Sequence, residues 1–193
     1  MPDWLWIPLA LGVLLLLYAV FVYNRMIALR KRADGAWSDI DVQLKRRWDL
    51  VPALVETVKG YAQHESQTLQ AAVAARNQAA QAAGVAERSD RERGVAQAVT
   101  RLFALAESYP DLKASEGFRQ LHSSLVDVED HLQSARRYYN AVVRDHNTLI
   151  ESFPSNLVAG ACGFNPRPFF QLDSESESAV PAIRFDADRE ARP

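Results

Sequence analysis

Residues 118–149 read FRQLHSSLVDVEDHLQSARRYYNAVVRDHNTL, and their apolar positions decide the fold class. Phe118, Leu121, Leu125, Val128, Leu132, Ala135, Tyr139, Val142, His146 and Leu149 alternate steps of three and four without a fault. Side chains spaced in this way line one face of an α-helix. A heptad register sustained this long predicts a helix of roughly 50 Å, packed knobs-into-holes on a neighbour. Phe153-Pro154 marks its end.

The same period runs upstream through Ala33, Trp37, Ile40, Leu44, Trp48, Val51, Val55 and Val58. Pro52 interrupts this stripe, because an internal proline removes a hydrogen bond and crowds the preceding turn. A kink or short break is expected there, with Asp49 capping a new segment and the stripe resuming through Tyr61 and Leu69. Residues 71–86, AAVAARNQAAQAAGVA, are rich in the best helix former and predict a second helix ending near Gly84. Ser89 and Glu92 then fit a capping box. A third helix follows, with Val95, Val99, Leu102 and Ala106 on one face and Tyr109-Pro110-Asp111 as its stop. Long helices joined by short turns predict an all-α fold, an elongated antiparallel four-helix bundle.

A different signal opens the chain. From Trp4 to Tyr23, WLWIPLALGVLLLLYAVFVY, there are twenty residues without a charge. A helix of that length spans roughly 30 Å, the thickness of a bilayer's hydrocarbon core. Trp4 and Trp6 at one end, with Tyr18 and Tyr23 towards the other, suit the two interfaces. No Lys or Arg precedes the run, whereas Arg25, Arg30, Lys31 and Arg32 follow it. The positive-inside rule places the bulk of the chain in the cytoplasm and residues 1–3 outside as a short stub. A cleaved signal peptide would need a basic start, a shorter apolar core and a small-x-small cleavage site. Asp3 and the bulky or basic residues after Tyr23 argue against it. The basic cluster is expected to contact anionic lipid headgroups.

The division expected is a stub at 1–3, a transmembrane anchor at 4–23, a cytoplasmic bundle at 24–153, and an irregular C-terminal flap of Gly, Pro and aromatic residues at 154–185. A charged, frayed tail at 186–193 completes it. Phe164, Phe169 and Phe170 need somewhere to bury, so the flap should pack on the bundle, and the three are also a candidate partner-docking patch. Val180, Ile183 and Phe185 are expected to touch the body again. The single Cys162 allows no intrachain disulfide and reads as a small apolar residue in a turn.

A net charge of −2 with 24% charged residues gives no global basic bias, so nucleic acid is not an expected partner. None of His64, His122, His131 and His146 stands in a Glu-x-x-His motif, and Thr68 occupies the second position of a zinc-protease pattern begun by His64-Glu65. Walker, dinucleotide-binding and nucleophile-elbow patterns are missing as well. Neither catalysis nor a cofactor nor a metal is therefore expected. Polar residues beside the stripes (Asp39, Asp41, Lys45, Arg46 and Arg47 on the first; Glu129, Arg136, Arg137, Asn140, Arg144 and Asp145 on the last) admit two readings. One is a solvated face with local pairs such as Lys45–Asp49. The other is a buried network of Arg46, Arg47, Glu129, Arg136 and Asn140 that fixes helix register.

Ala36 to Glu65, AWSDIDVQLKRRWDLVPALVETVKGYAQHE, resembles the signature region of the LemA family. RLFALAESYPDLKASEGFRQLHSSL (101–125), RRYYNAVVRDHNTLIESFPSNLVAGACGF (136–164) and Tyr23-Asn24 resemble further blocks in the same order. Ala53, Gly117 and His146 depart from the family pattern, the last standing where Tyr is more typical. The resemblance implies a bacterial inner-membrane protein with a short external N-terminus and a cytoplasmic helical bundle. It assigns no activity, substrate or cofactor. It also implies a link to magnetosome-membrane proteins and to membrane zinc proteases or other envelope proteins encoded nearby. The expected role is a scaffold or adaptor acting by binding. The alternatives are a membrane-organising oligomer paired through 118–149, and an enzyme or metal-dependent regulator built on the scattered histidines and carboxylates.

Overall fold

The computed structural model describes residue 4 and residues 6–171. The stub at 1–3, the tail at 186–193 and the contacts expected of Val180, Ile183 and Phe185 lie outside the described residues. Among those described, six helices account for most of the chain: α1 (Trp6–Lys59), α2 (Ser66–Gln81), α3 (Gly84–Ala106), α4 (Pro110–Ala114), α5 (Glu116–Glu151) and α6 (Ser155–Cys162). No strand occurs among the described residues.

The apolar run and the first amphipathic stripe form one helix of 54 residues, roughly 80 Å long. Its buried seam begins inside the apolar run, at Val22, and continues through Met26, Leu29, Ala33, Ala36, Ile40, Leu44, Trp48, Val51, Val55 and Val58. Pro52 does not break it. Proline lacks the N–H that would bond the Trp48 carbonyl one turn back. Arg76 of α2 supplies the missing donor, its Nε lying 3.1 Å from that oxygen. The stripe does not resume through Tyr61 either: α1 stops at Lys59, Tyr61 is exposed, and Leu69 belongs to α2.

Helix α5 runs antiparallel to α1 along most of its bundle length. Glu129 lies opposite Arg47, Tyr139 opposite Trp37, and Ile150 opposite Val22 and Met26. The heptad stripe is this seam: Phe118, Leu125, Val128, Leu132, Tyr139, Val142 and His146 are buried, and Leu121, Ala135 and Leu149 half-buried. Ser115 starts the helix by accepting the Phe118 amide, 3.3 Å away. The shorter pair α2 and α3 packs beside the half of α1 distal to the apolar run. Phe103 of α3 meets Phe118 of α5 edge to face, with centroids 6.1 Å apart.

Three local expectations are corrected. Gly84 does not cap α2, which ends at Gln81; it opens α3 with φ 78°, so the turn between the two helices is only Ala82-Ala83. Ser89 and Glu92 are consequently not a capping box. Both lie inside α3 and both are buried, because their side chains have partners across the fold. The irregular segment also starts later than its Gly and Pro content suggested. Ser155–Cys162 is helical and closes on Gly163, whose φ of 71° lets the Phe164 amide return to the Ala159 carbonyl at 3.0 Å. Cys162 is thus the exposed last residue of α6 and not a turn residue.

Candidate functional site

Two polar assemblies and one apolar surface carry the chain's unusual chemistry. The first assembly lies in the middle of the bundle. Arg47 projects from the buried face of α1, 4% exposed, and divides its guanidinium between two helices. Nη1 lies 3.2 Å from Glu92 of α3 and Nη2 lies 2.5 Å from Glu129 of α5. The other oxygen of Glu92 accepts the Trp48 indole N–H at 2.6 Å. Burial pushes the Glu92 carboxyl above its ordinary range, against the opposing pull of the Arg47 charge and the Trp48 hydrogen bond. Both oxygens act as acceptors, so the carboxylate is the form this geometry suits.

Beside it, Arg88 of α3 pairs with Asp41 of α1, and its guanidinium lies 5.7 Å from the ring centroids of both Trp37 and Trp48. Lys45 pairs backwards with Asp41, at 2.7 Å, and not with Asp49. Of the residues proposed for a register network, the structure brings Arg47 and Glu129 together. Arg46 is exposed, Arg136 is half-buried, and Asn140 serves a different partner. The residues missed are Glu92, Trp48, Arg88 and Arg76. Their heptad positions look polar or aromatic in isolation, and nothing local announces a partner such as Glu92, 45 residues beyond Arg47.

The second assembly is the strap formed by residues 164–171. Asn147 Nδ2 donates to the Arg167 carbonyl at 2.9 Å, and its Oδ1 accepts the Arg167 amide at 2.8 Å. Asn140 treats Phe170 the same way, at 3.0 and 2.9 Å. The Ser89 hydroxyl donates to the Gln171 carbonyl and accepts its amide. Tyr139 donates to the Pro168 carbonyl at 3.0 Å. An extended backbone is thus satisfied by side chains in place of a sheet neighbour.

Phe170 is fully buried against Trp37, with centroids 5.5 Å apart, and Phe164 meets Tyr23 edge to face at 5.8 Å. The docking patch proposed from sequence is corrected accordingly. Phe170 is a core residue because the strap turns it inwards, Phe164 is half-buried, and Phe169 keeps 40% exposure. Arg167 binds the strap to the first turns beyond the apolar run, bonding the Arg30 carbonyl at 3.1 Å and Asp34 at 2.6 Å. His146 lies buried beside this contact; burial and the nearby Arg167 and Arg30 charges hold its pKa below the usual imidazole range.

The apolar surface is α1 itself from Trp6 to Phe21. This stretch is long and apolar enough to cross a bilayer, and almost none of it is covered by the rest of the chain. Trp4 and Trp6 are exposed, Tyr18 lies towards the bundle end and is exposed, and Tyr23 meets Phe164. Arg25, Arg30, Lys31 and Arg32 are all exposed on the turns that follow. The remaining histidines are scattered: His64, His122 and His131 are exposed, and no group of three or more His, Cys, Asp or Glu side chains able to hold a metal occurs among the described residues. The heptad face of α5 is occupied within the chain, so it offers no free surface for pairing between molecules.

A family model, the LemA family, matches residues 36–185. The magnetosome protein MamQ 2 of Paramagnetospirillum magneticum is 30% identical over 87 residues, which is 45% of this chain and 32% of that protein. The magnetosome protein MamQ of Magnetospirillum gryphiswaldense is 29% identical over the same length. Protein LemA of Metamycoplasma hominis is 26% identical over 147 residues, 72% of this chain and 66% of that protein. The chain therefore spans about a third of the length of these magnetosome relatives. The family match and the apolar helix together fit a membrane-associated protein.

Proposed function

This chain belongs to the LemA family, and we propose from that premise that it is a membrane-anchored, non-enzymatic scaffold or adaptor. The site of action is the cytoplasmic face of the bacterial inner membrane. The observation that carries this reading is the continuity of α1, whose buried seam starts within the apolar run and ends in the bundle core. A body joined to its anchor by unbroken helix cannot swing freely. Whatever docks on it is held at a fixed height and orientation above the bilayer. The charge pattern after Tyr23 supports the cytoplasmic side. Binding is favoured over catalysis because the interior charges are matched to one another: Arg47 to Glu92 and Glu129, Arg88 to Asp41. A membrane-confined scaffold also gains from effective concentration, which makes weak contacts count.

Affinity capture of the intact chain from mild detergent, beside a version lacking residues 1–23, tests the reading. A protein partner recovered with the anchored form alone is the expected result, and a turnover reaction catalysed by the purified chain would overturn it. Sidedness is read separately, by adding protease to sealed inverted vesicles, where a cytoplasmic bundle is digested and a protected one would overturn the orientation.

A further inference from the structure

The turn between α5 and α6 has the wrong surface for water. Phe153 is 79% exposed, more than any large apolar side chain of the anchor, and Leu157 follows at 65%. From Ser152 to Pro166 fifteen residues pass without a charge, the longest such stretch outside the apolar run. The surface is also placed beside that run. Pro154, Leu157 and Val158 share an open apolar hollow with Leu14, Leu17 and Phe21 of α1. On a helix rising 1.5 Å per residue, Leu14 to Phe21 lie about 6–16 Å to the membrane side of Arg25. If the basic turns sit among headgroups, this tip reaches the level of the acyl chains.

Entry into hydrocarbon requires that backbone polar groups be satisfied within the protein. Several of those of the turn are. The Ser152 amide donates to the Thr148 carbonyl at 2.9 Å and the Asn156 amide to the Ser152 carbonyl at 2.8 Å. Pro154 has no amide hydrogen to satisfy. The Ser155 hydroxyl turns inwards between the carbonyls of Leu149 and Ser152, at 2.7 and 2.9 Å, and the residue is buried. At the far end Gly163 closes α6 on its own carbonyls.

We propose that the α5–α6 tip, led by Phe153 and Leu157, is inserted among the lipid acyl chains of the leaflet that faces the bundle. The inference rests on reading residues 4–23 as a bilayer span. The chain then meets the membrane twice, as a span and as a wedge, and the two contacts set the tilt of the bundle. Lipid is the occupant because the hollow is continuous with the anchor surface that lipid must already surround.

The test uses the full chain with Cys162→Ser, reconstituted in phosphatidylcholine–phosphatidylglycerol vesicles. A nitroxide is placed by Leu157→Cys, Phe153→Cys, Leu15→Cys or Gln133→Cys, one at a time. Collision rates with oxygen, which partitions into lipid, and with a water-soluble nickel chelate are compared. Labels at 153 and 157 are expected to behave like 15, favouring oxygen, with Gln133→Cys favouring nickel. Nickel access at 153 and 157 beside an oxygen-favouring label at 15 overturns the proposal and leaves the anchor standing. Exclusion of both relaxants at 153 and 157 overturns it in favour of a protein covering the tip. Nickel access at 15 removes the span and the proposal with it. Both tip side chains are exposed, so their substitution leaves the core intact.

Discussion

Arg76 donates from Nε to the carbonyl oxygen of Trp48 across 3.1 Å, and this oxygen is the one that Pro52 leaves without its helical partner. One side chain from α2 therefore repairs the ladder of α1 and ties the two helices together at the same point. The expected consequence is a coupling between residues 52 and 76. Arg76→Met should cost about 1–2 kcal/mol while Pro52 is present, the usual range for stranding a buried carbonyl. In a Pro52→Ala background, where the new residue restores the N–H, the same change should cost less than about 0.5 kcal/mol. Unfolding of the four proteins in detergent, followed by circular dichroism, closes the cycle; equal costs in the two backgrounds would refute the repair.

The contrast between what was readable and what was not follows from this example. Periodicity is a property of one segment, so the stripes of α1, α3 and α5 could be read residue by residue, and with them the all-α class. Of the kink or break expected at Pro52 the break does not occur, with Arg76 of α2 supplying the missing donor, and Gly84 opens α3 where its local meaning suggested the end of α2. Ser89 and Glu92 looked like a cap for the same reason, since a capping box and a pair of buried polar residues share one spelling. Helix α6 was hidden by its flanks, Pro154 before it and Gly160 and Gly163 at its end, and is too short for a period to show. Arg47 and Glu129 were visible as candidates, whereas their third partner Glu92 needed the fold.

The Arg47–Glu92 pair makes a sharper stability prediction. Arg47→Met leaves a fully buried Glu92 carboxylate with only the Trp48 N–H, and removing one partner of a buried pair typically costs about 3–5 kcal/mol. For a chain of this size that is a midpoint drop on the order of 10 °C. Replacing both by methionine should recover most of the loss, because no charge is then left in the core. Thermal scans of the two variants distinguish a mutually satisfied pair from an independent pair of residues, for which the second substitution would add to the first.

His146 gives the fold a pH dependence of definite sign. Burial above all lowers its folded-state pKa below the ordinary 6.5, outweighing the Asn147 hydrogen bond that raises it, with Arg167 and Arg30 adding to the lowering and Asp34 opposing it. The unfolded chain then binds a proton that the folded chain refuses. The contribution to stability is full above the unfolded value and is lost as pH falls from about 6.5 through the lowered folded value. His146→Phe should flatten the stability profile in that window and leave its alkaline side unchanged. A profile as steep in the variant as in the parent would assign the acid sensitivity to other groups.

The strap depends on Asn140 more than on the aromatic ring it delivers. Both hydrogen-bonding groups of the Phe170 backbone are satisfied by this one side chain, which is roughly isosteric with leucine. Asn140→Leu removes both bonds at once and leaves an amide and a carbonyl without partners, at a cost of about 1–3 kcal/mol. The chain can escape that cost by releasing residues 168–171 into water, which withdraws Phe170 from Trp37. Chymotrypsin should then cut after Phe169 or Phe170 faster than in the parent, and tryptophan emission should shift to the red as Trp37 is uncovered. Asn147→Leu should free the Arg167 end and spare the Phe170 end, so cleavage at Phe170 should rise less. Equal protection of Phe170 in the parent and in Asn140→Leu would mean that ring burial alone, through Trp37 and Tyr139, holds the strap in place.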